Sequence, residues 1–524
     1  MVANDQVERV TSVAVGSDRA VRPWWVLTTC CLAIFLIGLN TTAINAAVTQ
    51  IADDLSLGAT TPAFAINAYL LGVAIFVMPA GTAADVLGIA NVFLIGLALF
   101  AVGSLLIALA EGAPALIGGR ITQGAGSAFL MPASMSALRL AFTPERRATA
   151  LGIWGAIVGV AFAVGPLFGG AWTDVVSWRG IYWSDFVVIA VAVAMTLASL
   201  RPLPRPGGGR LDLIGGTLMG GAILLLVLAA QYGQTWGWTS VWTLGALVGG
   251  LALLGAFVEE DSRSAPERRL LELGLLRNRA YTGGILLTGL ATIGLICLLY
   301  FWNLFAQSPV TLAQSAVGAS LFLLPYGIAI FVMSLVAARL ADRIGYRIPV
   351  AAGMAVSGAG FLWLADIGVT TSASEMVVPL VILGVGVGFT FSNPGAAGLS
   401  AVTPDKAGEA AGAINASRYV LAAFGLAVAS ALYLTVASGS FRVGIAAAGL
   451  PAAEEDDLEA ALTGTDSGLT QAIDSVGAGS RAGVEAAAQA ALTDGFRAAT
   501  ALNATIAFGS AIISLLMLPG RRRA

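Results

Sequence analysis

The sequence predicts an all-α integral membrane protein, and three observations lead to that fold class. Only 11% of the 524 residues are charged, while 57% are hydrophobic. A soluble domain carries roughly 25% charged residues because water must wet its surface. The apolar residues fall into long runs of about 20, the length that crosses a bilayer as a helix. The 64 glycines suit helices whose backbones approach closely in lipid.

We count fourteen such runs and expect fourteen transmembrane helices, arranged as two pseudo-symmetric six-helix bundles plus a two-helix insert. The runs lie near residues 24–47, 61–84, 90–110, 113–138, 149–173, 179–200, 212–231, 239–258, 281–304, 314–338, 348–368, 376–400, 409–436 and 497–518.

The basic residues predict the orientation. Cytoplasmic loops carry an excess of lysine and arginine. With the N-terminus inside, 21 of the 27 basic residues fall on the cytoplasmic side and four on the other. We therefore expect a multi-pass protein of the cell (cytoplasmic) membrane with both termini in the cytoplasm. The first 23 residues lack the pattern of a signal peptide, so the first apolar run is expected to stay as a helix.

Two linkers divide the chain. Residues 201–210 contain three prolines and three glycines, and residues 259–279 are rich in charge. The predicted parts are a cytoplasmic tail (1–23), the N-terminal six-helix bundle (24–200), the linkers with two extra helices (201–280), the C-terminal six-helix bundle (281–518) and a basic cytoplasmic tail (519–524). A long acidic outer loop, 437–496, interrupts the last bundle and includes an alanine-rich stretch near 482–492 that is predicted to be helical. We expect it to be a solvated cap; cation capture by its acidic run, 454–457, is the alternative.

Several classes of chemistry are excluded. The chain has no histidine, which removes histidine-based catalysis and the commonest metal ligand. Its one lysine, Lys406, does not stand in a phosphate-binding glycine loop. The three cysteines lie in apolar runs without the spacing of a metal cluster. We therefore expect no catalytic site, no metal and no cofactor.

The fifth apolar run carries a glycine motif, Gly165-Pro166-Leu-Phe-Gly169-Gly170, preceded by Gly152 and Ala161. With the Trp178-Arg179-Gly180 that follows, this spacing resembles the fourteen-helix drug/proton antiporter branch of the major facilitator superfamily. That family has glycine where Ala161 stands. The resemblance implies that a bend at the proline seals one side of a transport pathway. Close helix packing alone is the other interpretation.

Related loops follow the second helix of each six-helix block and resemble the gating loop of that family. The first copy keeps Gly81, Asp85 and Gly88 but lacks the basic residues, so we expect Asp85 to pair with Arg146 or Arg147. The second copy is complete, with Asp342, Arg343, Gly345 and Arg347. The resemblance implies a role in conformational change for both. Such twin bundles rock about a midplane site in many secondary transporters.

The fourth run contains Arg120, and an arginine at membrane depth must face a cavity or a partner. Gln123 lies three residues on and shares its helix face. The resemblance implies that Arg120 handles protons; an arginine held by carbonyl groups is the structural alternative. The family also has an acid where this chain has Asn40, which cannot titrate. An acid occurs instead in the sixth run, as Asp185.

The remaining candidates for substrate binding or coupling are polar and aromatic residues inside apolar runs. Aromatic walls suit flat hydrophobic or cationic ligands, although a single ring is more often a lipid-facing or core residue than a ligand contact. These candidates are Asn45, Tyr69, Trp154, Tyr300, Asn303, Tyr326, Asn393, Glu409, Asn415 and Arg418.

The resemblance implies a secondary active efflux transporter, not an enzyme, that exports hydrophobic or amphipathic small molecules in exchange for protons. We expect a monomer in the lipid bilayer that binds no nucleic acid. Export or flipping of a lipid or an endogenous metabolite, with weak or no proton coupling, is an alternative, because Asn40 cannot carry a proton. A membrane enzyme or a non-transporting sensor is the alternative from another class, although no loop gathers a nucleophile with a base.

Overall fold

The structure, a computed structural model, describes residues 22–58, 61–203, 213–264, 273–369, 371, 373–391, 393–402, 407–447, 466–476 and 480–520. This part of the chain is helical and contains no strand beyond an isolated bridge between Gly345 and Gly520.

Sixteen α-helices are labelled here in chain order. They are α1 Pro23–Asp54, α2 Thr61–Leu87, α3 Ile89–Ala108, α4 Ala113–Ala141, α5 Pro144–Val175, α6 Arg179–Ser199, α7 Leu213–Trp236, α8 Val241–Arg263, α9 Arg279–Gln307, α10 Ala316–Ile344, α11 Arg347–Ala365, α12 Ala373–Thr390, α13 Asn393–Leu399, α14 Ala407–Ala447, α15 Asp466–Ser475 and α16 Arg481–Met517. A short 3₁₀ helix, Leu273–Arg277, precedes α9.

Eleven helices in the described residues are long and apolar enough to cross a membrane, judged by length and composition. Two shorter apolar helices lie in α2 and α7, at Thr61–Val77 and Ile214–Ala230. The predicted class, a helical protein with many apolar spans, is therefore confirmed.

The same helix pairings occur in both halves of the chain. In the first half α2 and α3 pack on α4, and α1 packs on α5. In the second half α10 and α11 pack on α12, and α9 packs on α14. The halves meet along two related seams, α5 with α10 and α14 with α2. The pair α7–α8 lies at the second seam, because α7 packs against both α2 and α14.

The predicted span 376–400 is interrupted, since α12 ends at Thr390 and α13 begins at Asn393. Pro394 explains the break, because it has no N–H to donate to the carbonyl of Thr390. The side chain of Asn393 donates instead to the carbonyl of Phe389, at 3.1 Å. Irregular backbone at membrane depth is tolerated where it is buried in protein or lines a cavity.

The region between the last two predicted spans contains the helix expected near 482–492, and α14 adds further helix that the sequence did not predict. Helix α14 has 41 residues and α16 has 37. At 1.5 Å per residue these helices are about 60 and 55 Å long, well beyond the roughly 30 Å of a hydrocarbon core. The two helices pack together, and α14 extends eleven residues into the predicted outer loop. The acidic run at 454–457 lies outside the described residues.

Candidate functional site

A polar cluster lies between four helices of the first half. Asn40 comes from α1, Ser104 from α3, Arg120 and Gln123 from α4, and Asp185 from α6. All five side chains are at most 1% exposed. A carboxylate and a guanidinium at such depth are costly unless they are paired and hydrogen-bonded. The cluster is therefore the candidate functional site.

Asp185 accepts hydrogen bonds from three helices. Its Oδ1 accepts from Asn40 Nδ2 at 2.7 Å, and its Oδ2 accepts from Ser104 Oγ at 2.7 Å and from Gln123 Nε2 at 3.4 Å. The structure thus brings Asn40 and Asp185 into direct contact. Ser104 was not singled out from the sequence, because one serine in an apolar helix gives no signal of its partners.

Gln123 connects the arginine to the acid. Its Oε1 accepts from Arg120 Nη1 at 2.7 Å, as their spacing on one helix face predicts. Its Nε2 donates to Asn40 Oδ1 at 3.1 Å and lies 3.0 Å from Ser104 Oγ. Among the described side chains, Arg120 therefore reaches Asp185 through Gln123 rather than through a direct ion pair.

The guanidinium of Arg120 has both polar and aromatic contacts. Its Nε and Nη1 donate to the carbonyls of Ala65 and Asn40, each at 3.4 Å. The ring of Tyr69 lies beneath it, 4.4 Å from the guanidinium carbon to the ring centroid, and Tyr69 Oη is 2.8 Å from Ser127 Oγ. Arg120 Nη2 has no hydrogen-bond partner among the described residues. Carbonyl groups hold only part of this side chain, which leaves one donor for another ligand.

The glycine motif of α5 is a region of close helix contact on two sides. Gly165 lies against Thr42 and the carbonyl of Leu39 in α1, and Gly169 lies against Ala43 of the same helix. A Cβ atom at Gly170 would lie 2.7 Å from the carbonyl oxygen of Ala316, in α10. The motif thus joins α5 to its own half and to the other half.

We predict that Gly165→Val leaves substrate binding intact and stops transport, because a branched side chain forces α5 away from α1. Substrate affinity in detergent and initial transport rate in vesicles test this. Gly155→Ala is the matched control, since a Cβ atom there meets nothing within 4 Å. Loss of binding together with poor expression would show that Gly165 serves packing alone.

Arg418 lies at the break between α12 and α13. Its Nη2 donates to the carbonyl of Phe391 at 3.1 Å, and the guanidinium carbon is 5.2 Å from the centroid of that ring. The Phe391 ring in turn packs edge-on against Phe162 of α5, with 5.8 Å between centroids. Arg418 thus stabilises a free backbone carbonyl and holds an aromatic ring against the other half.

A small apolar cavity lies near this contact, with about 10 Å³ of space, room for roughly one water. Helices α5, α9 and α10 line it. Tyr326 is part of the lining, and its hydroxyl is buried without a partner among the described residues. Tyr300 and Trp154 are also buried, and the Trp154 Nε1 has no partner in the same described set.

Asn45 of α1 and Asn303 of α9 do not join the polar cluster. Asn45 Nδ2 donates to the carbonyls of Thr41 and Thr42 in its own helix. Asn303 Oδ1 accepts from Gln307 Nε2 at 2.9 Å, and the same nitrogen donates to the carbonyl of Ala46 at 2.9 Å. Gln307, which the sequence analysis did not single out, therefore links the two halves at the ends of α1 and α9.

The two gating loops share one backbone feature. Gly88 and Gly345 both have φ of +82°, a left-handed conformation that favours glycine at each turn. The Nε of Arg347 donates to the carbonyl of Leu518 at the end of α16, at 2.8 Å, and Arg343 is exposed. Gly81 lies in α2, while the side chains of Asp85, Arg147 and Asp342 lie outside the described part of the molecule, so the expected pairing of Asp85 stays a prediction.

Two further candidates, Glu409 and Asn415, lie on α14. The side chain of Glu409 lies outside the described residues. Asn415 is half-buried, one turn of helix before Arg418.

Comparison with known proteins identifies the family. The sequence profile of the Major Facilitator Superfamily matches residues 30–213 and 212–426. The puromycin resistance protein of Streptomyces alboniger is 31% identical, over 86% of this chain and 88% of its own length. The multidrug efflux pump LfrA of Mycolicibacterium smegmatis is 29% identical, over 95% of this chain and 94% of that protein.

Solved structures agree in fold. A crystal structure of an autoinhibited POT family peptide transporter has a TM-score of 0.63 at 14% identity, and the match covers 96% of this chain and 98% of that one. The chain belongs to the major facilitator superfamily and is a membrane transport protein.

Proposed function

We propose that this protein exports hydrophobic or amphipathic drugs and antibiotics from the cell in exchange for protons. The relatives named for puromycin resistance and multidrug efflux support the substrate class. The observation that carries proton exchange is the buried contact of Asp185 with Asn40, Ser104 and Gln123. An exchanger needs a group that binds a proton and senses the substrate, and an intramembrane carboxylate suits that role.

In this proposal Asp185 carries the proton and Arg120 supplies the opposing charge. Gln123 contacts both side chains, so a substrate that moves Arg120 also changes the hydrogen bonds of Asp185. Tyr69 and the free Nη2 of Arg120 are the groups through which a substrate would act. Asn40 keeps its place in the network as a neutral partner.

The proposal includes fourteen spanning helices, a monomer in the cell membrane and both termini in the cytoplasm. Helices α2, α4 and α7, added to the eleven candidate spans, make fourteen. Helix α4 is less apolar than α2 and α7, and it carries Arg120. Exposed tryptophans support helices that span the bilayer, since such rings gather at both membrane surfaces, and the arginine distribution supports the orientation. Trp24 and Trp25 lie at one end of the bundle, 54% and 53% exposed, and Trp183, Trp242 and Trp363 lie at the other.

A lipid or another apolar metabolite, exported with weak coupling, is the second candidate substrate. Asn40 favours it, because this amide, at the position where the resembled antiporters carry an acid, cannot bind or release a proton.

Accumulation of dyes and antibiotics in cells tests the proposal. Cells that express the protein are expected to accumulate less compound than cells with an empty vector, and an uncoupler should abolish the difference. Reduced accumulation that survives the uncoupler would contradict proton exchange. Unchanged accumulation across the panel, with an altered membrane lipid composition on expression, would replace drug export with the second candidate.

A further inference from the structure

The two halves also meet through an acidic side chain at the end of α5. Asp174 accepts hydrogen bonds from two backbone amides of α10: its Oδ1 from Ala316 N at 3.2 Å and its Oδ2 from Val317 N at 2.9 Å. The carboxylate therefore caps the N-terminus of a helix in the other half of the molecule. We call this contact the Asp174 cap. The sequence gives no signal for this role of Asp174, because nothing local connects it to amides more than 140 residues away.

The first amides of α10 are supplied from two sources. Ser315 accepts from the amide of Gly318 at 3.1 Å, as an ordinary N-cap residue does. Ala316 and Val317 obtain their acceptor from Asp174 instead. A carboxylate is favourable at this position, because the helix N-terminus carries a partial positive charge. The amides of Ala316 and Val317 thus have this carboxylate as their acceptor only while the two halves are in contact at this end of α5 and α10.

The seam between α5 and α10 is tight at this end and wider at the other. Ser320 Oγ donates to the carbonyl of Pro166 at 2.8 Å, next to the close approach of Gly170 and Ala316. Further along α5, a Cβ atom at Gly159 would reach only the Phe331 ring, at 4.0 Å. At Gly155 it would meet nothing within 4 Å. The Asp174 cap therefore lies at the closed end of the seam.

We propose that Asp174 is a positioning residue of the transport cycle, which stabilises the conformation closed at this end. The inference rests on the proposed transport function, but it does not depend on the role of Asp185. When the halves separate here, the amides of Ala316 and Val317 must exchange the carboxylate for water. Loss of an N-cap side chain costs about 0.5–2 kcal/mol. Asp174→Ala should therefore shift the population toward the opposite conformation by about 2- to 30-fold.

Two cysteine reporters in a background without Cys30, Cys31 and Cys297 measure this shift. Leu323→Cys reports on the capped end, because Leu323 is buried, lines the cavity and follows Ser320 on the stripe of α10 that faces α5. Gly155→Cys reports on the wide end. A membrane-impermeant maleimide labels both variants in proteoliposomes. It is added on the side of the capped end for position 323 and on the side of the wide end for position 155.

We expect Asp174→Ala to raise the labelling rate at position 323 and to lower it at position 155. Asp174→Glu should restore both rates in part, since it keeps the charge. Glu111→Gln is the matched control, an exposed acid at the same end of the bundle that should change neither rate. Unchanged rates in Asp174→Ala would overturn the proposal. A rise at both positions, with a lower melting temperature, would overturn it as well and assign Asp174 to stability alone.

The outcome is separable from the proposed export function. Labelling needs no substrate, so a shift in the two rates would stand even if the drug panel gave no efflux. Conversely, normal efflux of drugs with unchanged labelling in Asp174→Ala would leave the export function intact and remove the role of Asp174.

Discussion

Arg120→Ala is expected to abolish transport while the protein still folds and inserts. The substitution removes a fully buried guanidinium that contacts Gln123 and the ring of Tyr69. Asp185 is then left in the cluster without its buried positive neighbour. Arg120 and Asp185 are linked through Gln123, so their coupling free energy of about 1–3 kcal/mol is lost, which corresponds to a fall of up to about 150-fold in a rate that depends on this link. The initial rate of substrate uptake into inside-out vesicles measures the loss.

Arg120→Lys distinguishes charge from shape. Lysine keeps the charge but cannot reach Gln123 and the carbonyls of Ala65 and Asn40 with one planar group, so partial activity is expected. Detergent extraction and a symmetric elution profile serve as controls for folding. Normal transport by Arg120→Ala would place the arginine among residues that only hold the helices together.

Asp185→Asn is expected to remove uphill export and to leave downhill equilibration of substrate. The asparagine can still bond Asn40 and Ser104, so the packing of α1, α3 and α6 is kept while the titrating group is lost. Counterflow in vesicles without a proton gradient measures the downhill step, and efflux driven by a gradient measures the uphill one. Full uphill export by Asp185→Asn would remove this residue from the coupling path.

The double substitution Asn40→Asp with Asp185→Asn is the matched test. It keeps one carboxylate and one amide across the same contact, whose atoms are 2.7 Å apart. Gln123 Nε2 already donates to position 40 at 3.1 Å, and the Ser104 hydroxyl can either donate or accept. Recovery of much of the uphill transport is therefore expected. Equal loss in the single and double variants would show that the position of the acid, and not only its presence, is fixed.

Asn40→Asp alone should steepen the dependence of transport on pH. Two carboxylates within hydrogen-bonding distance cannot both ionise readily, so they share one proton. They then bind and release this proton in the pH range in which the transporter exchanges protons. The transport rate measured from pH 5 to 9 tests this. An unchanged profile would mean that position 40 is no longer part of the coupling path.

The parts of the site that could be predicted were those that depend on local spacing. The hydrogen bond between Arg120 and Gln123 follows from residues three apart on one helix. The contacts of Gly165 and Gly170 follow from small residues at helix spacing. The bond between Asn40 and Asp185 joins residues 145 positions apart, so it depends on how α1 and α6 pack, which no local pattern contains. Ser104 and Asp174 were missed for the same reason.

In the fold, too, the features set by local sequence were predicted and those set by packing between distant segments were not. Apolar runs predicted the helices well because lipid requires every backbone group to bond within its own segment. The break before Pro394 was missed, since hydropathy averages over a proline. The extension of α14 was missed because this helix packs on α16 beyond its apolar run, where composition resembles that of a soluble helix. The extension of α16 was predicted in part, since the alanine-rich stretch near 482–492 indicates a helix.

The release of protons on substrate binding tests proton exchange through Asp185 most directly. Purified protein in weakly buffered detergent is mixed with a substrate identified in the accumulation assay, and the pH of the solution is followed. We predict that the wild-type protein acidifies the solution, that Asp185→Asn does not, and that Glu111→Gln behaves as the wild type. Proton release that persists in Asp185→Asn but disappears in Glu409→Gln would contradict the account and transfer the coupling to the second half of the molecule.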